Sequence, residues 1–182
     1  MKPILVLALA MVAAAEPHRV NLDPKATEVH WTLGSLLHTV HGTFQLKSAD
    51  LWVDPESGKA GGKLIVDAKS GESGSSARDG RMHKSILESE KYPDITFVPD
   101  RVEGAVNLQG DSTVKLHGAF TIHGGTHEMT MAVKSHGEQG KLTSTITFAV
   151  PYLAWGFKNP STLFLKVNDT VDVEIRAAGS VQ

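Results

Sequence analysis

Nine histidines in a chain that has no cysteine are the side chains most able to do chemistry here, and they raise two readings, metal ligation and acid–base catalysis. His117, His123 and His127 lie close together, and His30, His38 and His41 form a second group. A zinc site needs three or four donors converging on one point about 2 Å away. The hairpin pattern splits the first group between two faces, and no carboxylate or thiol completes that set. A third cluster, Arg78, Asp79 and His83 with Ser85 nearby, contains the residue types of a nucleophilic triad but no nucleophile elbow to hold them. Asp79 reads more simply as the N-cap of a short helix, with its neighbours in a structural ion pair. These residues therefore give no catalytic set and no resident cofactor. A histidine-dependent metal protein or metalloenzyme stands as the second reading.

The elements that would have to position such groups follow from hydrophobic alternation, which recurs from Val29 to the C-terminus at the period of half-buried strands. Val29, Trp31 and Leu33 share one face. So do Val40, Gly42, Phe44 and Leu46; Leu64, Val66 and Ala68; and Ile95 and Phe97. Further on come Val114, Leu116, Gly118, Phe120 and Ile122; then Leu142, Ile146, Phe148 and Val150; and last Val171, Val173 and Ile175. A two-residue turn at Gly124-Gly125 would pair Ile122 with His127, Phe120 with Met129 and Leu116 with Val133. Both strands then send their apolar residues to the same side. The same alternation divides the histidines, with His38 and His127 inward and His30, His41, His117 and His123 outward.

Two segments interrupt the pattern. Residues 54–62 read as a turn, and 69–93 as a loose Gly/Ser stretch followed by a short helix from about Asp79 to Glu88, with Met82 and Ile86 one turn apart. Many strands, one helix and no crossover helices predict an all-β fold, an extended antiparallel barrel of about eight strands. That is the size at which a barrel either fills with side chains or holds one small ligand. Trp155-Gly156-Phe157 is expected to plug one end.

The first 15 residues read as a signal peptide: Lys2, an apolar run from Ile4 to Val12 too short to span a bilayer, then Ala13-Ala14-Ala15 before Glu16-Pro17. The expected domain is therefore 16–182, periplasmic or secreted, with no stable membrane anchor. The absence of cysteine removes a disulfide framework and a lipidated start, so the domain must stand on its own core. Without Lys2, 17 basic residues face 20 acidic ones, and no basic run with interleaved aromatics appears, so no nucleic-acid partner is expected. Oligomeric state is left open, a homodimer being one form.

Several blocks resemble the YceI-like family: His38-Thr-Val-His-Gly-Thr-Phe44, Arg78-Asp-Gly-Arg-Met-His83, Lys91-Tyr-Pro-Asp-Ile-Thr-Phe97, Leu116 through His127, and Trp155-Gly-Phe157 leading to Val171–Ile175. They run in order over residues 20–177. The resemblance implies a lipocalin-like barrel of exported bacterial proteins, whose long apolar pocket takes polyisoprenoid or fatty-amide-like molecules, and no known catalytic activity. The Gly124-Gly125 turn is shorter than the family's usual turn, and residues 70–76 are looser.

On this reading the ligand is an isoprenoid-like or fatty-acyl lipid, and its wall is Trp31, Val40, Phe44, Phe97, Leu116, Phe120, Met129, Met131, Ile146 and Phe148. His38 and Arg78 are candidate head-group contacts. Small inward residues, Gly42, Ala68, Gly118 and Ser144, would leave room, and two methionines make an adaptable wall. Burying a ~15-carbon tail is worth on the order of 12 kcal/mol gross at ~0.8 kcal/mol per methylene, before ordering costs.

Overall fold

The computed structural model describes residues 16–35, 38–161 and 166–182. Nine strands run β1 His18–Leu22, β2 Glu28–Gly34, β3 Thr39–Val53, β4 Ala60–Glu72, β5 Asp94–Glu103, β6 Asp111–Ile122, β7 Gly125–Glu138, β8 Lys141–Val150 and β9 Val171–Val181. Every pairing is antiparallel. The ring β2-β9-β8-β7-β6-β5-β4-β3 closes through β2 and β3, making an eight-strand barrel with no free edge. Strand β1 is not a ninth stave. It pairs with β3 and β9 as β2 does, but further along them, so β1 and β2 are two halves of one stave broken by a 3-10 turn at Pro24–Ala26.

The expected barrel is therefore present, and the strands run longer than their alternation suggested. In β3 a bulge between Leu46 and Ser48 reverses the parity, so that Ala49 and Leu51 follow Leu46 inward. In β5 a bulge between Pro99 and Arg101 does the same, and Val102 becomes the buried residue. An alternation read residue by residue stops at each bulge although the strand does not.

The β6–β7 hairpin also departs from the expected register. Its two turn residues are His123 and Gly124, both with positive φ (52° and 77°), as a type I′ hairpin requires. Ile122 pairs with Gly125, Phe120 with His127, and Leu116 with Met131. The pairing is displaced by two residues from that expected, so each side chain keeps its face but changes its neighbour. His123 leaves the outward strand face and sits in the turn, its ring 4.9 Å from those of Tyr92 and Phe157.

The helix is shorter and earlier than expected. Helix α1 spans Ser76–Arg81 with Ser75, not Asp79, at its N-cap, and continues into a π turn at Met82–Ile86. Asp79 instead accepts a hydrogen bond from the Ser73 hydroxyl. Met82 and Ile86 pack on the core as their spacing implied.

Strand directions divide the connections between two ends. The α1 segment, the β6–β7 turn and residues 151–161 and 166–170 lie at one end, here called the mouth. The 54–59, 104–110 and 139–140 connections lie at the other. At that second end Asn107 and buried Ser112 exchange two hydrogen bonds (2.7 and 3.1 Å), which tie 104–110 to β6, and the Leu108 backbone lies against Gly137.

Candidate functional site

A cavity of about 570 Å³ lies in the barrel beneath the mouth and reaches Leu51 on β3. All eight staves contribute to its wall, with α1, the π turn and residues 151–161 and 166–170 closing over it. The described wall residues are almost all apolar. Their only charged members are Arg78 and Arg81, and none is a carboxylate.

Nine of the ten side chains expected to share the interior stand on this wall: Trp31, Val40, Phe44, Phe97, Leu116, Phe120, Met131, Ile146 and Phe148. Met129 does not. It is buried, but it lies outside the wall. On this part of β7 the barrel is occupied by the 151–157 turn: Trp155 stacks on His127 at 4.0 Å between ring centroids with planes 3° apart, and tilts against Phe120. The Trp155 block thus fills the mouth beside β7, while Tyr152 and Phe157 from the same turn face the cavity.

The small inward residues do not make the hollow. A methyl on Gly42 would meet the carbonyl of Glu72 at 2.2 Å and the Trp31 indole at 2.3 Å. One on Gly118 would meet the Val98 carbonyl at 2.3 Å. Neither glycine, nor Ala68, nor Ser144 is on the wall. Their smallness lets neighbouring chain and rings close in. The space comes from the barrel's circumference.

His38 and Arg78 both reach the wall, and both are exposed at the mouth. Arg78 is already engaged, donating to the Ser73 hydroxyl (2.7 Å) and carbonyl (2.9 Å). His83 ties the same segment to the barrel: Nε2 lies 2.8 Å from the Gly71 carbonyl and Nδ1 3.0 Å from the Ser89 hydroxyl. A carbonyl only accepts, so Nε2 carries the proton and Nδ1 accepts from Ser89. The ring is spent on anchoring. With Asp79 on Ser73, the residues of the paper triad do not converge. Arg81, Thr96 and Tyr152 are wall residues that alternation could not reveal, because Arg81 belongs to α1, Tyr152 to the turn after β8, and Thr96 is not apolar. Tyr152 donates to the Asn168 carbonyl at 2.7 Å, and burial, with Asp169 adding to it, raises its pKa above the ordinary value.

Among the described residues His117 meets two carboxylates. On the outer wall His117 Nδ1 lies 2.9 Å from Asp100, and Nε2 3.3 Å from Glu128, on the two adjacent strands. Sequence spacing missed this because the bulge after Pro99 turns both Asp100 and Arg101 outward. One donor atom from each of the three lies within 4.8 Å of the others. Arg101 Nη1, however, stands 2.8 Å from the same Nδ1, so a cation is already in place. The cluster stitches three strands and faces away from the cavity. His30 and His41 hold other outward positions, beside Glu28 (3.0 Å) and Thr32 (3.2 Å).

The family model described as the YceI-like domain matches residues 21–178. The chain belongs to the YceI-like domain family. A UPF0312 protein of Pseudomonas putida is 25% identical over 194 residues, covering 98% of this chain and 95% of its own. Among solved structures, the YceI-like barrel is similar to BcnA of Burkholderia cenocepacia, with TM-score 0.73, 18% identity, and 86% of this chain and 98% of that one covered. It is similar also to a polyisoprenoid binding domain of Saccharophagus degradans, implicated in plant cell wall breakdown (TM-score 0.63, 14% identity, 90% and 98% covered). A third likeness is the YCEI protein of Campylobacter jejuni (TM-score 0.64, 20% identity, 79% and 86% covered). At these identities the three structures establish the YceI-like barrel as the shared fold.

Proposed function

We propose that this YceI-like barrel is an exported carrier that shelters the apolar tail of an isoprenoid or acyl lipid in its cavity and performs no chemical step on it. The observation that carries the reading is the wall itself: about 570 Å³ of space, ringed by apolar side chains from all eight staves. That volume is in the range of small-molecule sites. The wall offers a tail nothing to react with and a head group only the cations at the mouth. A tail gains ~0.8 kcal/mol per methylene removed from water, so affinity needs no buried charged anchor. The binding named for the Saccharophagus domain supports an isoprenoid among the candidates.

In this reading Trp31, Val40, Phe44, Phe97, Leu116, Phe120, Met131, Ile146 and Phe148 hold the tail, with Met129 behind them, and His38 and Arg78 meet the head group. Residues 1–15, outside the described part of the chain, direct export and are removed, leaving 16–182. Among the described residues no helix is long and apolar enough to cross a membrane.

Native mass spectrometry of the protein recovered from a bacterial host tests the reading. A hydrophobic adduct that organic extraction removes, and an isoprenoid alcohol restores, is the expected result. A barrel that is recovered without ligand and takes up neither isoprenoid nor acyl lipid overturns it. The same spectrum reports whether the exported chain begins at Glu16.

A further inference from the structure

We propose that His123 and Glu88 form an acid-closed latch across the mouth, so that protonation of one imidazole slows the passage of lipid. The effect on lipid rests on the carrier reading above, whereas the latch itself is measurable on the empty protein. Three segments of the mouth meet at this point. His123 stands in the β6–β7 turn, Glu88 follows the π turn, and Lys158 lies in the connection after β8. The His123 ring is 4.9 Å from that of Tyr92, on the Glu88 side, and 4.9 Å from that of Phe157, which precedes Lys158 and lines the cavity.

Nε2 of this imidazole is buried and has no hydrogen-bond partner among the described residues. A polar atom taken out of water without a bond destabilises the arrangement that buries it. Glu88 Oε2 stands 3.4 Å away, and the two side chains are 27% and 34% exposed, so the pair is partly sheltered from solvent. The other carboxylate oxygen, Oε1, is 3.9 Å from Lys158 Nζ. The backbone holds the pair face to face. Glu88 (φ 46°) and His123 (φ 52°) are two of the three non-glycine residues with positive φ among those described, a region that residues with a side chain seldom adopt. The Glu88 carbonyl fixes its own turn by accepting from the amides of Lys91 (2.8 Å) and Tyr92 (3.0 Å). A methyl on Gly124 would fall 2.6 Å from the Tyr92 ring, so the hairpin turn already rests on that segment.

An imidazolium carries a proton on both nitrogens, so protonation makes Nε2 a donor whichever tautomer precedes it. The contact with Glu88 then closes to a charge-assisted hydrogen bond. One carboxylate would join the hairpin turn through Oε2 and the 157–158 segment through Oε1. The other charged or titratable groups on the packed elements are Lys158, Lys91, whose ammonium lies 4.9 Å over the Tyr92 ring, and the Tyr92 hydroxyl. On the hairpin itself His127 is stacked on Trp155. Both lysines oppose a further positive charge, but both are exposed and screened by solvent, whereas Glu88 faces Nε2 directly. The mouth therefore tightens as pH falls through the range in which histidine gains its charge.

Protein loaded with 1-N-phenylnaphthylamine, an apolar fluorescent probe, is mixed with excess phosphatidylcholine vesicles, and the departure of the probe is timed by stopped flow at about pH 5.5 and about pH 7.5. Release is expected to be about fivefold slower at the lower pH. The difference is expected to vanish in Glu88→Gln and in His123→Asn, asparagine being tolerant of the positive φ of the turn. Equal rates at the two pH values in the parent overturn the latch. So does a difference that both variants retain, which would belong to another group at the mouth such as His38. A probe that is not taken up at all counts against the carrier reading, and amide hydrogen exchange of the empty protein then decides the latch. Protection of the bonded Tyr92 and Phe157 amides, corrected for intrinsic exchange rates, is expected to be about fivefold higher at the lower pH in the parent and equal at both in Glu88→Gln. Protection that does not change with pH in the parent overturns it.

Discussion

Gly42→Ala separates two accounts of why this barrel is hollow. If the small inward residues created the space, an added methyl would project into the cavity and be accommodated. The structure places that methyl 2.2 Å from the Glu72 carbonyl and 2.3 Å from the Trp31 indole, on a residue paired with Trp31 across β2 and β3. Backbone cannot yield at one atom alone, so the strands must part or the indole must leave its rotamer. Overpacking of this kind costs about 1–3 kcal/mol. For a domain of this size that is a fall in Tm of roughly 2–12 °C, read by calorimetry on the ligand-free protein. Gly80→Ala is the control: nothing lies within 4 Å of its methyl, it sits in α1, and it is expected to gain ~0.5–1 kcal/mol. A Gly42→Ala protein as stable as the parent would refute the close-packing account.

Other consequences follow from the same geometry. A ligand at 100 times its Kd adds about 2.7 kcal/mol to a site found only in the folded state, which raises Tm by roughly 5–11 °C in a thermal scan. Phe120→Ala removes a ring that touches both Phe148 and Trp155, and is expected to cost about 3–5 kcal/mol of stability as well as affinity, by denaturant titration and probe displacement. The raised pKa of Tyr152 means that the folded chain holds that proton more tightly than the unfolded one. Its contribution is complete below pH ~10 and is lost as pH rises through the folded-state value. Tyr152→Phe should therefore flatten the alkaline limb of a stability–pH curve. Zinc analysis after dialysis should find less than one equivalent bound, because Arg101 occupies the approach to His117; a full equivalent that His117→Gln abolishes would favour a metal protein.

How far the sequence discloses this molecule depends on whether a feature is periodic. The eight staves and most of the cavity wall, from Trp31 to Phe148, are legible because inward apolar residues repeat at every second position. Strand β1 is not, since only Val20 and Leu22 carry its alternation before the Pro24 turn. Bulges hide the far halves of β3 and β5 and also the meeting of Asp100 with His117, because they reverse parity without marking the sequence. The hairpin register was open to a two-residue error that alternation cannot detect, and His123 tolerating a positive φ decided it. Met129 shares the parity of Met131 yet misses the wall, because the 151–157 turn folds into the mouth beside β7 and no local pattern foretells that packing. Where the hollow stops along each strand is likewise a matter of packing, and Val114 and Leu116 look alike in the sequence.

The central claim is that a tail lies inside the barrel. It is met most directly by intermolecular NOEs between a carbon-labelled isoprenoid alcohol and the protein's methyl groups. Contacts are expected from the tail to the wall residues Leu116, Met131 and Ile146. A bound tail showing NOEs only to exterior methyls such as Val98, and none to those three, would contradict it.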